Sequence, residues 1–344
     1  MMGASASESA YRVLMGVLES RTGQTLSPNR IWRIEMSLKP VMQRHGIADL
    51  DTLVAALVTS NSRQLLDDTV DAMLNNETYF YREYSVFDEI AATALERIRE
   101  INKLRRRLTV WHCGVSTGQE AYSLAMLIAE QGEKWAGWQV DIVGTDVSYH
   151  AISRARVGLY SQFEIQRGLP VQRMVRWFDQ TDGGWLAKAD LRRRVDFSVQ
   201  NMLTDRPPLA SPADLIFCRN LLLYFSAPMR QKAFARLRAM AAPQSFLVLG
   251  AGETVLGQTD QFVASPRLRG LYEPADQQVR RAAAAWPCFL RPTGAIDGLV
   301  STGRTHKTHE RFYRTLVSQF RRARAAHLDD RAALYRYEVW HRSH

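Results

Sequence analysis

Between about positions 10 and 74, apolar residues recur at helical spacing: Tyr11, Val13, Leu14, Val17 and Leu18; Ile31, Ile34, Leu38, Val41 and Met42; Leu53 and Leu57; then Leu65, Leu66, Val70, Met73 and Leu74. No strand alternation interrupts them, so the region predicts a set of amphipathic helices. Thr25-Leu26-Ser27-Pro28 offers a cap with proline at the first helical position, and Gly46 stops the helix that follows. From Leu108 the pattern changes to short apolar runs separated by amphipathic segments, the signature of strand–helix repeats around a largely parallel sheet. Strands are expected at 108–113, 140–144, 195–199, 214–218 and 246–249, with helices at 120–131, 149–157 and about 228–242. The polar stretch from Ser161 to Arg194, containing Asp179-Gln-Thr-Asp-Gly-Gly184, reads as an insertion with one or two turns.

Composition narrows the class. The chain has 344 residues, 46% of them apolar, enough for a sizeable core and two or more folding units. No apolar run approaches the length of a membrane span, and no basic-then-apolar leader opens the chain, which argues against secretion. Three scattered cysteines, Cys113, Cys218 and Cys288, form neither a disulfide framework nor a zinc motif, so no metal is expected and the cytoplasm is the expected location. The net charge is +10, and +6 of it falls between Ala285 and His344, a proline- and glycine-punctuated basic tail that reads as an appendage.

Candidate chemistry gathers at strand ends. Val110-Trp-His-Cys-Gly114-Val-Ser-Thr-Gly118-Gln-Glu120 runs from a strand through a glycine turn into a helix, which brings backbone N–H groups and a positive dipole end to one point. Gly114 to Gly118 also satisfies the G-x-S-x-G pattern of a serine hydrolase, with Ser116 as nucleophile, but that fold needs several strands before the elbow and here the preceding region is helical. Asp146 ends the next strand, where an acidic side chain commonly holds ribose hydroxyls, or caps the following helix. Turn and acid together favour an adenosine-containing ligand. Asn76, Thr78 and Arg82 lie at the junction of the helical and sheet regions, where clefts form, and Arg82 is suited to clamp a carboxylate. Cys218-Arg219-Asn220 closes a third strand on the same sheet edge.

In this order the segments resemble the CheR-type chemotaxis receptor glutamate O-methyltransferases over roughly Tyr11 to Val279. The resemblance rests on Asn76-x-Thr78-x-Phe80-x-Arg82, Gly114-x-Ser-Thr-Gly-x-Glu120-x-Tyr-Ser-Leu-Ala, Gly144-Thr-Asp146, Arg154-Ala-Arg-x-Gly158-x-Tyr160, Val195-x-Phe-x-x-x-Asn201 and Ile216-Phe-Cys-Arg-Asn220-x-x-x-Tyr224-Phe. It implies a class I S-adenosylmethionine-dependent methyltransferase, a Rossmann-like, mostly parallel doubly wound α/β sheet, with a small N-terminal all-α domain and a small antiparallel β-subdomain insertion. The implied division is a receptor-recognition domain and linker at 1–84, a methyltransferase domain at 85–284 with an insertion at about 161–196, and a basic extension of unknown role at 285–344.

The resemblance further implies that S-adenosylmethionine is the cofactor and S-adenosylhomocysteine the product. Asn76, Thr78 and Arg82 would line the cleft, Glu120 would meet the methionine end, and Asp146 would hold the ribose. Asn201 and Met202 would flank the adenine, Arg219 and Asn220 would close the pocket, and Arg82 and Tyr224 would stand at the reacting centre. The partner would be the acidic, helical cytoplasmic region of methyl-accepting receptors, met by the basic residues of the helical domain; Arg21, Arg30, Arg33, Lys39 and Arg44 oppose only Glu35 between positions 21 and 44. The short turn from Asp179 to Gly184 predicts no tether for a receptor C-terminal pentapeptide, and no nucleic acid is expected as a partner. Departures from the family pattern are Val115 for Cys, Gln119 for Glu and Gly250-Ala-Gly-Glu253 for Gly-His-Ser-Glu. A second reading is a signalling homologue that keeps the cofactor pocket without turnover.

Overall fold

The computed structural model describes residues 7–26, 31–206, 208–266, 268 and 270–275. Helices open the chain: α1 (Glu8–Thr22), α2 (Ile31–Arg44), α3 (Leu50–Thr59) and α4 (Arg63–Met73). Ser7, Asp49 and Ser62 cap α1, α3 and α4 by accepting main-chain N–H bonds of the first turn. Their apolar stripes meet in one core built on Leu14, Leu18, Ile34, Leu38, Leu53 and Leu65, as the periodicity predicts. The expected Ser27-Pro28 cap lies outside the described residues, as does the tail at 285–344.

A short connection, α5 (Tyr84–Glu89), a π-helical turn (Ile90–Ala94) and α6 (Leu95–Asn102), leads into the sheet region. There β1 (Arg107–Cys113), α7 (Gln119–Glu130), β2 (Gln139–Asp146) and α8 (Tyr149–Val157) alternate. Next come β3 (Leu159–Tyr160), α9 (Gln162–Gln166), α10 (Val171–Trp177), β4 (Phe178–Thr181), β5 (Gly184–Ala187) and α11 (Ala189–Arg192). The chain returns through β6 (Val195–Val199), β7 (Ala213–Cys218), α12 (Ala227–Met240), β8 (Ala241–Leu249), β9 (Phe262–Ala264) and β10 (Leu271–Pro274).

The main sheet has the order β6-β2-β1-β7-β8-β10-β9. Its first five strands are parallel, while β10 runs antiparallel to both β8 and β9. Central strand β1 is covered on both faces: Leu108 and Val110 pack into one core with Ala121, Leu124 and Leu215, and Trp111 and Cys113 into the other with Phe234, Leu237 and Leu247. From β1 the chain winds outward through β2 and β6, then crosses to β7 and β8 on the other side. The carboxyl ends of β1 and β7 therefore flank a topological switch point, where open α/β sheets bind ligands. The fold is the class I methyltransferase sheet with a helical layer ahead of it. The polar stretch read as an insertion with one or two turns carries most of a second, antiparallel sheet of order β3-β5-β4, closed by the two-residue turn Asp182-Gly183, the small β-subdomain that the resemblance implies. The pattern missed β10 and the edge strand β9, which are only three or four residues long, and gave β8 only its apolar second half.

Candidate functional site

The turn after β1 is held by its neighbour strand. Gly114, Ser116 and Gly118 all adopt left-handed backbone, with φ of 74°, 51° and 93°. That conformation suits Gly118, whose bare Cα lets the start of α7 sit against Ala155 of α8 and Phe197 of β6. Gly114 and Val115 donate their N–H groups to the Thr145 carbonyl at 2.8 and 2.9 Å. Ser116 N–H reaches Asp146 Oδ2 at 2.8 Å, and Ser148 N–H reaches Oδ1 at 2.9 Å. Burial pushes the Asp146 carboxyl above its ordinary range despite these bonds. Ser116 Oγ donates to the Asn76 carbonyl at 2.7 Å. With its hydroxyl spent on a main-chain carbonyl, Ser116 has no place in a catalytic triad, and the hydrolase reading falls.

Glu120, in the first turn of α7, sits in a buried chain of charges. Its Oε1 accepts from His112 Nδ1 at 3.0 Å and its Oε2 pairs with Arg219 at 2.9 Å. Arg219 extends the chain to Glu83 at 3.0 Å and donates to the Arg82 carbonyl at 2.9 Å. Burial alone would raise the Glu120 carboxyl, but the His112 bond and the Arg219 charge outweigh it and hold it below the usual carboxylate range. On the other side of the switch point, the Glu253 carboxylate accepts N–H bonds from Asn220, Leu222 and Gly250 at 2.7 to 2.9 Å, which fixes the loop after β7.

The segment from Asn76 to Arg82 crosses this edge. Asn76 Nδ2 donates to Ser148 Oγ at 3.3 Å, and Tyr81 and Glu83 take left-handed backbone that turns the chain into α5. The Arg82 guanidinium carbon lies 5.6 Å from the Tyr79 ring centre. The end of α1 completes the wall: Gln24 forms an antiparallel bridge with Phe225, and Thr25 N–H donates to the Tyr224 carbonyl at 2.7 Å. Asn75 Nδ2 donates to the Tyr224 hydroxyl.

These elements border a cleft that is partly open to solvent. Asn76, Thr78, Arg82, Glu120, Asp146, Asn201, Met202, Arg219, Asn220 and Tyr224 all line it, so every candidate residue from the sequence meets at one place. Arg219 belongs to its wall, since its side chain is 1% exposed. Sequence reasoning missed Thr22, Gln24, Asn75 and Gln200 on the lining, and Glu83 and Glu253 behind it. Glu253 had been visible only as the last residue of a departure from pattern. The basic stretch of the helical region is less bare than counted: Arg21 pairs with Asp67 at 2.9 Å and Arg44 with Asp68 at 3.2 Å, both partners lying on α4. Arg33 and Lys39 are exposed, and Arg30 lies outside the described residues. Cys113 and Cys218 are buried strand residues. Among the described residues no helix is long and apolar enough to cross a membrane.

The sequence is similar to known proteins. Residues 76–269 match the family model of the CheR methyltransferase, SAM binding domain. Chemotaxis protein methyltransferase 1 of Vibrio cholerae is 34% identical over 76% of this chain and 95% of its own length. Chemotaxis protein methyltransferase 1 of Pseudomonas aeruginosa is 34% identical over 75% of this chain and 94% of its own. A probable biofilm formation methyltransferase, WspC of Pseudomonas putida, is 33% identical over 64% of this chain and 51% of its own length. On the family match, and on relatives covered almost end to end, the chain belongs to the CheR methyltransferase family.

Proposed function

We propose that this chain transfers the methyl group of S-adenosylmethionine to glutamate side chains of chemoreceptors, giving glutamyl methyl esters, and that it works in the cytoplasm. The observation that carries the reading is the convergence of two carboxylates, Glu120 and Asp146, with Arg82 and Tyr224 in one cleft at the switch point. The donor set suits the cofactor. Each Asp146 oxygen accepts one N–H and keeps a lone pair for a ribose hydroxyl. Gln200 Oε1 is buried beside Asn201 with no partner, an acceptor for an exocyclic amine. Glu120 holds negative charge for an ammonium or sulfonium group. When bound, S-adenosylmethionine supplies an electrophilic methyl on a positive sulfur.

The remaining work is positioning. A substrate carboxylate at neutral pH is already an anion, so no general base is needed; alignment and exclusion of water supply several kcal/mol. Arg82, held at the rim by Tyr79 and the Glu77 carbonyl, takes the incoming carboxylate and orients one oxygen towards the methyl. Tyr224, fixed by Asn75 and the α1 tail, borders the same point. The helical region 1–84 is the receptor-recognition domain, with Arg33 and Lys39 facing an acidic helical surface, and 85–284 is the methyltransferase domain with its insertion at 161–196. The short turn of that insertion does not provide a pentapeptide tether. The test is transfer of base-labile label from methyl-labelled S-adenosylmethionine into receptor cytoplasmic fragments. Arg82→Ala should cut kcat at least about a hundredfold while S-adenosylhomocysteine still binds. Tight cofactor binding with no transfer to any receptor of the same cell would replace this reading with that of a signalling homologue without turnover.

A further inference from the structure

His112 stands one residue before the carboxyl end of β1, on the face otherwise given to Leu108 and Val110. Its side chain is fully buried, its ring stacks on Phe217 at 4.2 Å between centres, and Nε2 is buried with no hydrogen-bond partner. An apolar residue would fill this volume without leaving a nitrogen unpaired. What the imidazole adds is one bond: Nδ1 to Glu120 Oε1 at 3.0 Å. The acceptor is a carboxylate, so the proton sits on Nδ1.

The consequence lies in how Glu120 is held. Donors from two neighbouring strands grip its two oxygens, His112 of β1 on Oε1 and Arg219 after β7 on Oε2. Arg219 also serves Glu83 and the Arg82 carbonyl, so its hold on Glu120 is shared. Without His112 only the shared Arg219 contact on Oε2 would hold the Glu120 carboxylate, which could then turn about that oxygen. We propose that His112, which does not line the cleft, is a positioning residue that fixes the Glu120 carboxylate for the amino-acid end of the cofactor. The inference rests on the reading that Glu120 faces that end.

Two ligands separate this role from general packing: S-adenosylhomocysteine carries the amino-acid group, and 5′-methylthioadenosine has the same adenosine thioether without it. His112→Phe keeps the stacked ring and removes the donor, and His112→Asn keeps an N–H near the Nδ1 position. Calorimetry on the full chain should show His112→Phe weakening S-adenosylhomocysteine by roughly tenfold, with methylthioadenosine within about threefold of the parent, and His112→Asn restoring most of the loss. Equal weakening of both ligands, or unchanged S-adenosylhomocysteine affinity in His112→Phe, overturns the inference. Glu120→Gln decides where a failure lies. If it weakens S-adenosylhomocysteine alone while His112→Phe does not, only the role of His112 falls; if it leaves both ligands unchanged, the placement of the cofactor's amino-acid end falls with it.

Discussion

Two carboxylates on the wall of one cleft are tuned in opposite directions. Glu120 has a cation and an imidazole and is held down; Asp146 has only main-chain N–H donors, with the charge of Asp71 nearby, and burial holds it up. The folded protein therefore keeps the Asp146 proton more tightly than the unfolded chain does. Its contribution to stability is greatest below the ordinary carboxyl range and is lost as pH rises through the elevated value. Asp146→Asn lacks that dependence, so the unfolding free energy of the variant relative to the parent should rise as pH climbs above the ordinary carboxyl range in urea titrations; parallel curves would refute it. Glu253 makes a different prediction. Removing its acceptor in Glu253→Ala strands three buried N–H groups, which should cost about 2 to 4 kcal/mol of unfolding free energy. Ser116, Glu120 and Asp146 were legible because a strand, a glycine turn and a helix start are contiguous. Glu253 and Gln200 were not, because their partners are main-chain groups and open space that no local pattern encodes.

The elements most visible in sequence were the long ones with two-sided burial, such as β1 and β7, or a clean apolar stripe, such as α8, whose bounds match the expected 149–157. Strands of two to four residues in the small sheet carry too few alternations to reveal a period, and β3 pairs with β5 across an intervening strand in sequence. This sheet is nevertheless tied to the cleft. Gly168, after α9, has φ of 85°, and a Cβ there would stand 2.0 Å from the Phe80 carbonyl oxygen. Gly168→Ala should therefore lower unfolding free energy by on the order of 2 kcal/mol or more and weaken methyl transfer, because the backbone carrying Arg82 has to shift. A thermal midpoint and a kcat both equal to those of the parent would contradict that link.

At the scale of the whole chain, the helical layer is part of the site, since Thr22 and Gln24 line the cleft and the α1 tail bridges to Phe225. No helical periodicity could announce that long-range pairing, and nothing in the α1 sequence placed its end on the cleft. Charge acts at the same scale. Raising ionic strength from about 50 to about 300 mM should raise the KM for an acidic receptor fragment severalfold while the affinity for S-adenosylhomocysteine changes little, because exposed Arg33 and Lys39 are screened and the buried Glu120–Arg219 pair is not. An equal salt effect on both would place the receptor contact elsewhere. The insertion between α8 and β6 looks from its chain position like a cassette to be exchanged among relatives. Its contacts say otherwise: Gly168 is moulded on Phe80, Arg167 covers Tyr79 and pairs with Glu77 at 2.7 Å, and the Tyr160 hydroxyl donates to the Thr117 carbonyl at 2.8 Å. A chimera that imports this segment has to import the Glu77-to-Phe80 stretch with it, so the transplantable unit is discontinuous in sequence.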